Sequence, residues 1–269
     1  MRAFRPGKPT MPFPIEQYGT LSEPVTMRYP PGHEALARQV GHYIERANKL
    51  LSQLLSLKPP AMEILLVAPQ DWKFVPHEET EEPDLLLPYW TDVTEPPSLV
   101  IPTQLDPIMG NNSPEKLSFL VFHELAHAFL EADTRPWPNE CPLWADEWQM
   151  QFAALWLAQQ IFDVRGVVMV DLHETFVDIF HPEPDGKTPT TVRGFDWYED
   201  TTPRDYLEYT LLLERLAADL LAKYDASILP RFLESYRDEF VLLSDDVTEK
   251  LANVLGEDGI GWLENLDYF

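Results

Sequence analysis

The chain has 269 residues, a hydrophobic content of 45% and a formal net charge of −25. This is apolar material for one large domain or two small ones, and its carboxylate excess, read first as a source of solubility, repels nucleic acid and anionic membranes at long range. One cysteine, Cys141, excludes an internal disulfide and fits a reducing compartment.

Met1-Arg2-Ala3-Phe4-Arg5-Pro6 begins a stretch without the apolar region of a signal peptide, and no run of about 18 apolar residues follows anywhere, so a cytoplasmic location is expected. Residues 1–31 are rich in Pro and Gly and read as an extended N-terminal arm. Residues 32–269 read as a single domain, with a mainly helical part from residue 164 onward. Over residues 32–57, Leu36, Val40, Tyr43, Ile44, Ala47, Leu50, Leu51 and Leu54 share one side, which predicts an amphipathic helix stopped by Pro59 and Pro60. Residues 62–67 predict a short buried strand. Residues 69–97 are acidic and proline-rich, with Leu85-Leu86-Leu87 and Tyr89-Trp90 as a strand or a covering loop. Residues 98–102 predict another strand, and Pro102 places it at a sheet edge, where an extended peptide could pair.

A helix beginning after Ser113 is expected next. Ser113 suits the N-cap, Pro114 the first turn and Glu115 the positive helix end. A proline-rich loop over 133–142 precedes a helix over 143–162, in which Trp144, Trp148, Phe152 and Trp156 recur at core spacing. Residues 164–202 are mixed, with a buried stretch at 167–170 and a turn at 181–186. Further helices are expected over 203–224, 226–236 and 245–255. No internal repeat is visible, and the fold class is α+β.

The chemistry concentrates in Phe122-His123-Glu124-Leu125-Ala126-His127. Residues four apart share a helix face, so His123 and His127 can close on one metal ion. Glu124 is turned about 100° away and can act on a water instead. Neutral imidazole suits Zn²⁺, which acidifies a water and polarises a carbonyl, and a neighbouring carboxylate can move the proton to a leaving amine. His123 and His127 are thus candidate ligands and Glu124 the candidate general base. Two imidazoles are too few for a stable site, so a third ligand must come from a neighbouring helix. The next helix opens with Trp144-Ala145-Asp146-Glu147, and Asp146 and Glu147 both qualify, with Glu140 in the loop as another rival. Cys141 is expected near the site entrance.

The His-Glu-x-x-His motif with a helical Glu 20 positions past the second histidine resembles the gluzincin metallopeptidases of the thermolysin and aminopeptidase-N type. Trp144-Ala145-Asp146-Glu147 is similar at both ends to the Trp-Leu-Asn-Glu segment of the aminopeptidase branch. The resemblance implies a zincin-like catalytic domain, one zinc per chain and Glu147 as the third ligand. Trp148 stands where a glycine is usual, and no Gly-x-Met-Glu-Asn stretch is present, so trimming of amino ends is not implied. A looser likeness to peptidase-MA-like proteins covers Tyr206 to Tyr224, with Asp225 in place of a glycine. Gluzincins use a tyrosine or histidine to steady the carbonyl oxygen. Among the residues that could fill this role Tyr209 is the first candidate and Tyr206 the second, ahead of Tyr198, His173, His181 and Arg193.

The implied function is a zinc-dependent peptidase acting on peptide or protein substrates, with no nucleic-acid or membrane partner. The alternatives are a catalytically silent relative that binds polypeptides, and a structural helical protein without metal.

Overall fold

The computed structural model describes residues 13–77, 85–181, 191–195, 201–237 and 239–269. The class is α+β, with a small mixed sheet and a larger helical part. The chain forms two compact units, one of Met1–Glu45 with Ala61–Asp106 and one of Arg46–Pro60 with Pro107–Phe269. A helix, α1 (Glu34–Leu55), contributes to both, and no described helix is long and apolar enough to cross a membrane.

The first unit holds a sheet of β1 (Gly19–Leu21), β2 (Met27–Tyr29), β3 (Glu63–Val67), β4 (Tyr89–Thr91) and β5 (Ser98–Pro102), in the order β1-β2-β3-β5-β4. β2, β3 and β5 run parallel, while β1 and β4 flank them antiparallel. Parallel neighbours need a crossover, and the connection from β2 to β3 contains α1. Within the segment read as an extended arm, residues 1–12 lie outside the described residues, and residues 19–29 supply β1 and β2. Gly19 pairs with Tyr29. A Cβ there would come within 2.6 Å of the tyrosine ring, so a larger residue would push that ring aside.

The edge position expected for residues 98–102 is corrected. β5 lies between β3 and β4, and all five of its residues are buried. Pro102 is tolerated because β4 reaches only Val100, Leu99 and Ser98, so no ladder bond on that side calls for the missing N–H. Leu65, Val67, Trp72, Val75 and Val100 form a core here, joined by Leu86 and Tyr89. The segment after residue 84 thus supplies both a covering loop and a strand.

The second unit contains α2 (Pro114–Glu131), α3 (Leu143–Phe162), α4 (Val170–Thr175), α5 (Pro203–Lys223), α6 (Ile228–Tyr236), α7 (Ser244–Leu255) and α8 (Gly259–Glu264). Ser113 caps α2 as expected, its Oγ accepting from Lys116 N at 3.1 Å. α3 packs on α2 and on α5. Trp144, Ala145, Trp148, Gln149, Phe152 and Ala153 are all buried along it, the pattern of a helix enclosed on most sides. Thr202 and Asp205 form a capping box that starts α5. The helix α4 was not expected. Only Met169 in residues 167–170 is fully buried, and Val170 is half exposed. Two polar ties fix this region. Lys116 Nζ bonds Asp171 Oδ1 at 2.9 Å, and His173 Nε2 meets Glu214 Oε2 at 2.9 Å. The turn expected over 181–186 lies, apart from His181, outside the described residues.

Candidate metal centre

α2 and α3 bring three ligand atoms together. His123 and His127, one turn apart on α2, place their Nε2 atoms 3.2 Å from each other. Glu147, on the second turn of α3, places Oε2 3.3 Å from His123 Nε2 and Oε1 3.8 Å from His127 Nε2. Ligands at about 2.0–2.1 Å around a tetrahedral ion stand about 3.3 Å apart, so the observed spacing fits one ion with a position to spare. Among the described residues this is the one group of three or more His, Cys, Asp or Glu side chains that could hold a metal. The three side chains are 13%, 24% and 23% exposed, so the cluster remains reachable from solvent.

The surroundings orient the ligands. His123 Nδ1 lies 2.7 Å from Gln151 Oε1, and Gln151 Nε2 donates to the Thr210 carbonyl at 3.4 Å. With the amide oriented by Thr210, Nδ1 carries the proton and donates to Gln151. Nε2 therefore turns a lone pair toward His127 and Glu147. Two imidazole nitrogens at this distance with a carboxylate beside them call for positive charge between them.

The titration shifts agree with this. Burial disfavours the charged form of His123, but the Glu147 hydrogen bond and the Glu147 and Glu124 charges outweigh it and raise its pKa. His127 is pushed down to about 4 by burial, against the pull of Glu147 and with the help of repulsion from His123. Burial would raise Glu147, yet the His123 hydrogen bond and both imidazole charges hold it below the usual carboxylate range. The trio thus stabilises one cationic charge, which a divalent ion would replace and strengthen.

Asp146, the rival ligand, points elsewhere. Adjacent helical residues are turned about 100° apart, and its carboxylate accepts from the Tyr236 hydroxyl and, at 3.4 Å, from Cys141 Sγ. Burial pushes its pKa up to about 6 despite these donors. Glu140 is exposed and lies outside the cluster, its backbone bridged to Val241 and its carbonyl accepting from Leu242 N. Cys141 is half-buried beside Asp146.

Glu124 is half-buried and close enough for its charge to act on both His123 and Tyr206. Tyr206 is half-buried too, and its hydroxyl is held protonated by burial and by the charges of Glu124 and Glu147. Tyr209 is only 2% exposed and stacks on Phe195 with ring centroids 4.1 Å apart. Its hydroxyl has no hydrogen-bond partner among the described residues, and burial followed by the charges of Glu147 and Asp146 raises its pKa. The other candidates are engaged away from the cluster. His173 is paired with Glu214, Arg193 reaches Ser244 and Asp245, and His181 is largely exposed beside Asp267. Tyr198 lies outside the described residues.

Sequence reading missed Gln151, Tyr236 and Arg237. Gln151 stands one helical turn after Glu147, a spacing that signals a shared face. Arg237, 1% exposed, donates to the Leu130 carbonyl at 2.6 Å and the Arg135 carbonyl at 2.9 Å. It also lies 3.6 Å over the Trp137 ring. With Tyr236 on Asp146, it pins the connector between the two ligand-bearing helices. No protein-family model matches the chain, and no curated protein matches it in sequence, so assignment of the centre rests on its own residues.

Proposed function

We infer that this chain is a zinc-dependent peptidase of the gluzincin type that hydrolyses peptide bonds with an activated water. The observation that carries the reading is the convergence of His123, His127 and Glu147 on one point, with Glu124 and Tyr206 beside it. His123, His127 and Glu147 would hold the ion. Zn²⁺ supplies, when bound, an acidified water and Lewis-acid polarisation of a carbonyl.

The rest of the work belongs to side chains. Glu124 takes the proton of the attacking water on a carboxylate oxygen and returns it to the leaving nitrogen. Tyr206 keeps its phenolic proton and donates it as a hydrogen bond where the carbonyl oxygen gains negative charge. Tyr209, the more buried of the pair and within reach of the Glu147 and Asp146 charges, is the other candidate donor. Gln151 holds the His123 ring in its metal-facing tautomer.

Protein purified without added metal is expected to contain about one zinc per chain, as a single catalytic site requires. It is expected to cleave unstructured polypeptides, and Glu124→Ala to abolish cleavage while zinc is retained. A chain that binds no zinc, or a Glu124→Ala variant of undiminished activity, would overturn the reading. Zinc binding without turnover on diverse peptides would assign the chain to the polypeptide-binding alternative.

A further inference from the structure

Tyr236 and Arg237, adjacent at the end of α6, each hold one of the two helices that carry the candidate ligands. The Tyr236 hydroxyl donates to Asp146 Oδ1 in the first turn of α3, one residue before Glu147. Arg237 Nη2 donates at 2.6 Å to the Leu130 carbonyl in the last turn of α2, three residues after His127. Its Nη1 donates at 2.9 Å to the Arg135 carbonyl, in the connector that leads to α3. With about 1.5 Å of rise per residue, Leu130 stands about 4.5 Å along α2 from His127, and Asp146 about 1.5 Å along α3 from Glu147. The Cα atoms of residues 236 and 237 are about 3.8 Å apart. Ligands on separate helices are thus both tied to one point of the chain.

That point is itself held firmly. The buried Tyr236 ring stacks on Phe232 with centroids 5.1 Å apart and stands edge-on to Trp137 at 5.8 Å. The buried Arg237 guanidinium lies over Trp137, and its Nε is 3.6 Å from Asp133 Oδ2. Asp133 accepts in turn from Arg135 Nε and Nη2, at 2.9 and 2.7 Å. The planar fork of an arginine can reach two carbonyls at once, which a lysine ammonium cannot do with the same fixed geometry.

The spacing these ties bear on is the one between helices. His123 and His127 share α2, so their separation is set within one helix. His127 Nε2 and Glu147 Oε1, at 3.8 Å, belong to different helices and are beyond hydrogen-bond distance. Apolar packing draws α2 and α3 together without directional preference. Hydrogen bonds from residues 236 and 237 fix the offset of one helix against the other.

We propose that Tyr236 and Arg237 are positioning residues for the metal centre, which together set the offset of Glu147 from His127 and so the affinity and size preference for the ion. The proposal rests on metal binding by His123, His127 and Glu147, and not on peptide hydrolysis.

The test uses the full chain and reads metal binding rather than activity. Zinc and cadmium dissociation constants are measured by competition against a chromophoric chelator, with circular dichroism to confirm the fold. Tyr236→Phe removes one hydroxyl and keeps the ring packing, and Arg237→Lys keeps the charge and loses the fork. Each is expected to raise the zinc constant about tenfold or more, the scale of a lost group behind a ligand. The constant for the larger cadmium ion is expected to change less than about threefold, because loosened helices still accommodate it. The double variant is expected to stay within about threefold of the weaker single variant, since freeing one end already releases the offset. Tyr268→Phe removes a different buried phenol bond, the one to Asp219 on α5, and is expected to leave both constants unchanged. Should Arg237→Lys fail to fold, Tyr236→Phe and this control decide alone. A zinc constant within about threefold of wild type in either folded variant overturns the proposal, as do losses that multiply in the double variant, the mark of two separate contacts. An equal loss in Tyr268→Phe also overturns it, because zinc affinity would then follow general stability. A wild-type chain that binds neither ion overturns the metal centre itself, so the two readings fail separately.

Discussion

Gln151→Leu isolates the contribution of the group behind His123. Gln151 is 1% exposed, and its Oε1 lies 2.7 Å from His123 Nδ1. Leucine keeps much of the volume and removes the acceptor. A buried imidazole N–H left without a partner costs about 1–3 kcal/mol. Loss of a partner behind a metal-ligating histidine lowers metal affinity about 10–100-fold, which is about 1.4–2.8 kcal/mol. The two estimates agree because both describe a histidine that no longer holds its tautomer and ring angle. The assay is zinc competition against a chromophoric chelator at pH 7, with circular dichroism to confirm the fold. The expected result is a 10–100-fold rise in the zinc dissociation constant. Gln151→Glu, which restores the acceptor with a charge that makes the imidazole more basic, is expected to match or exceed wild-type affinity. A Gln151→Leu protein that is folded and binds zinc within about threefold of wild type refutes the assignment of this hydrogen bond.

Three more outcomes are expected. Tyr206→Phe lowers kcat about 100-fold or more with little change in KM, the loss typical of one donor to a developing oxyanion, measured by steady-state kinetics on a cleavable peptide. Glu147→Gln abolishes stoichiometric zinc, whereas Asp146→Asn retains it, because Asp146 is committed to Tyr236 and Cys141; elemental analysis after dialysis separates them. Asp171→Asn leaves Lys116, whose side chain is 4% exposed, without its carboxylate partner. The expected loss in denaturant unfolding is about 2–3 kcal/mol, below the figure for a fully buried pair because Asp171 is a third exposed. The same tie has a pH signature. Burial alone would raise the Asp171 pKa, but the Lys116 hydrogen bond and charge and the Asn111 N–H lower it. Its contribution is therefore complete above the ordinary carboxylate range and fades as the pH falls through the lowered folded value. The Asp171→Asn protein is expected to lack that acid-side loss.

The helices that carry the candidate ligands were legible because their signals are local. Ser113 and Pro114 mark the start of α2, and the apolar density of residues 143–162 gives α3 its observed limits. The expectation that His123, His127 and a helical acid meet follows from the same local periodicity plus one packing contact. What stayed hidden depends on remote partners. β1, β2 and β4 are three residues each, too short to show a period. Pro102 pointed to an edge because a proline reports its missing donor, not which neighbour is too short to need it. Gln151 and His123 are 28 positions apart, and Tyr236 and Asp146 are 90 apart. Nothing in the local composition marks a neutral amide or a phenol as a partner of a candidate ligand or its neighbour. Choosing between Asp146 and Glu147 needed the helix phase of α3 against α2, which no single segment contains.

The central claim is that two imidazoles on α2 and one carboxylate on α3 share a cation. A crystal of the zinc-equilibrated protein, measured on either side of the zinc absorption edge, gives the most direct test. The expected map has one anomalous peak, about 2.0–2.2 Å from His123 Nε2, His127 Nε2 and a Glu147 oxygen, with Asp146 still on Tyr236. A peak held by other side chains, or none at this point at full zinc occupancy in solution, contradicts the claim.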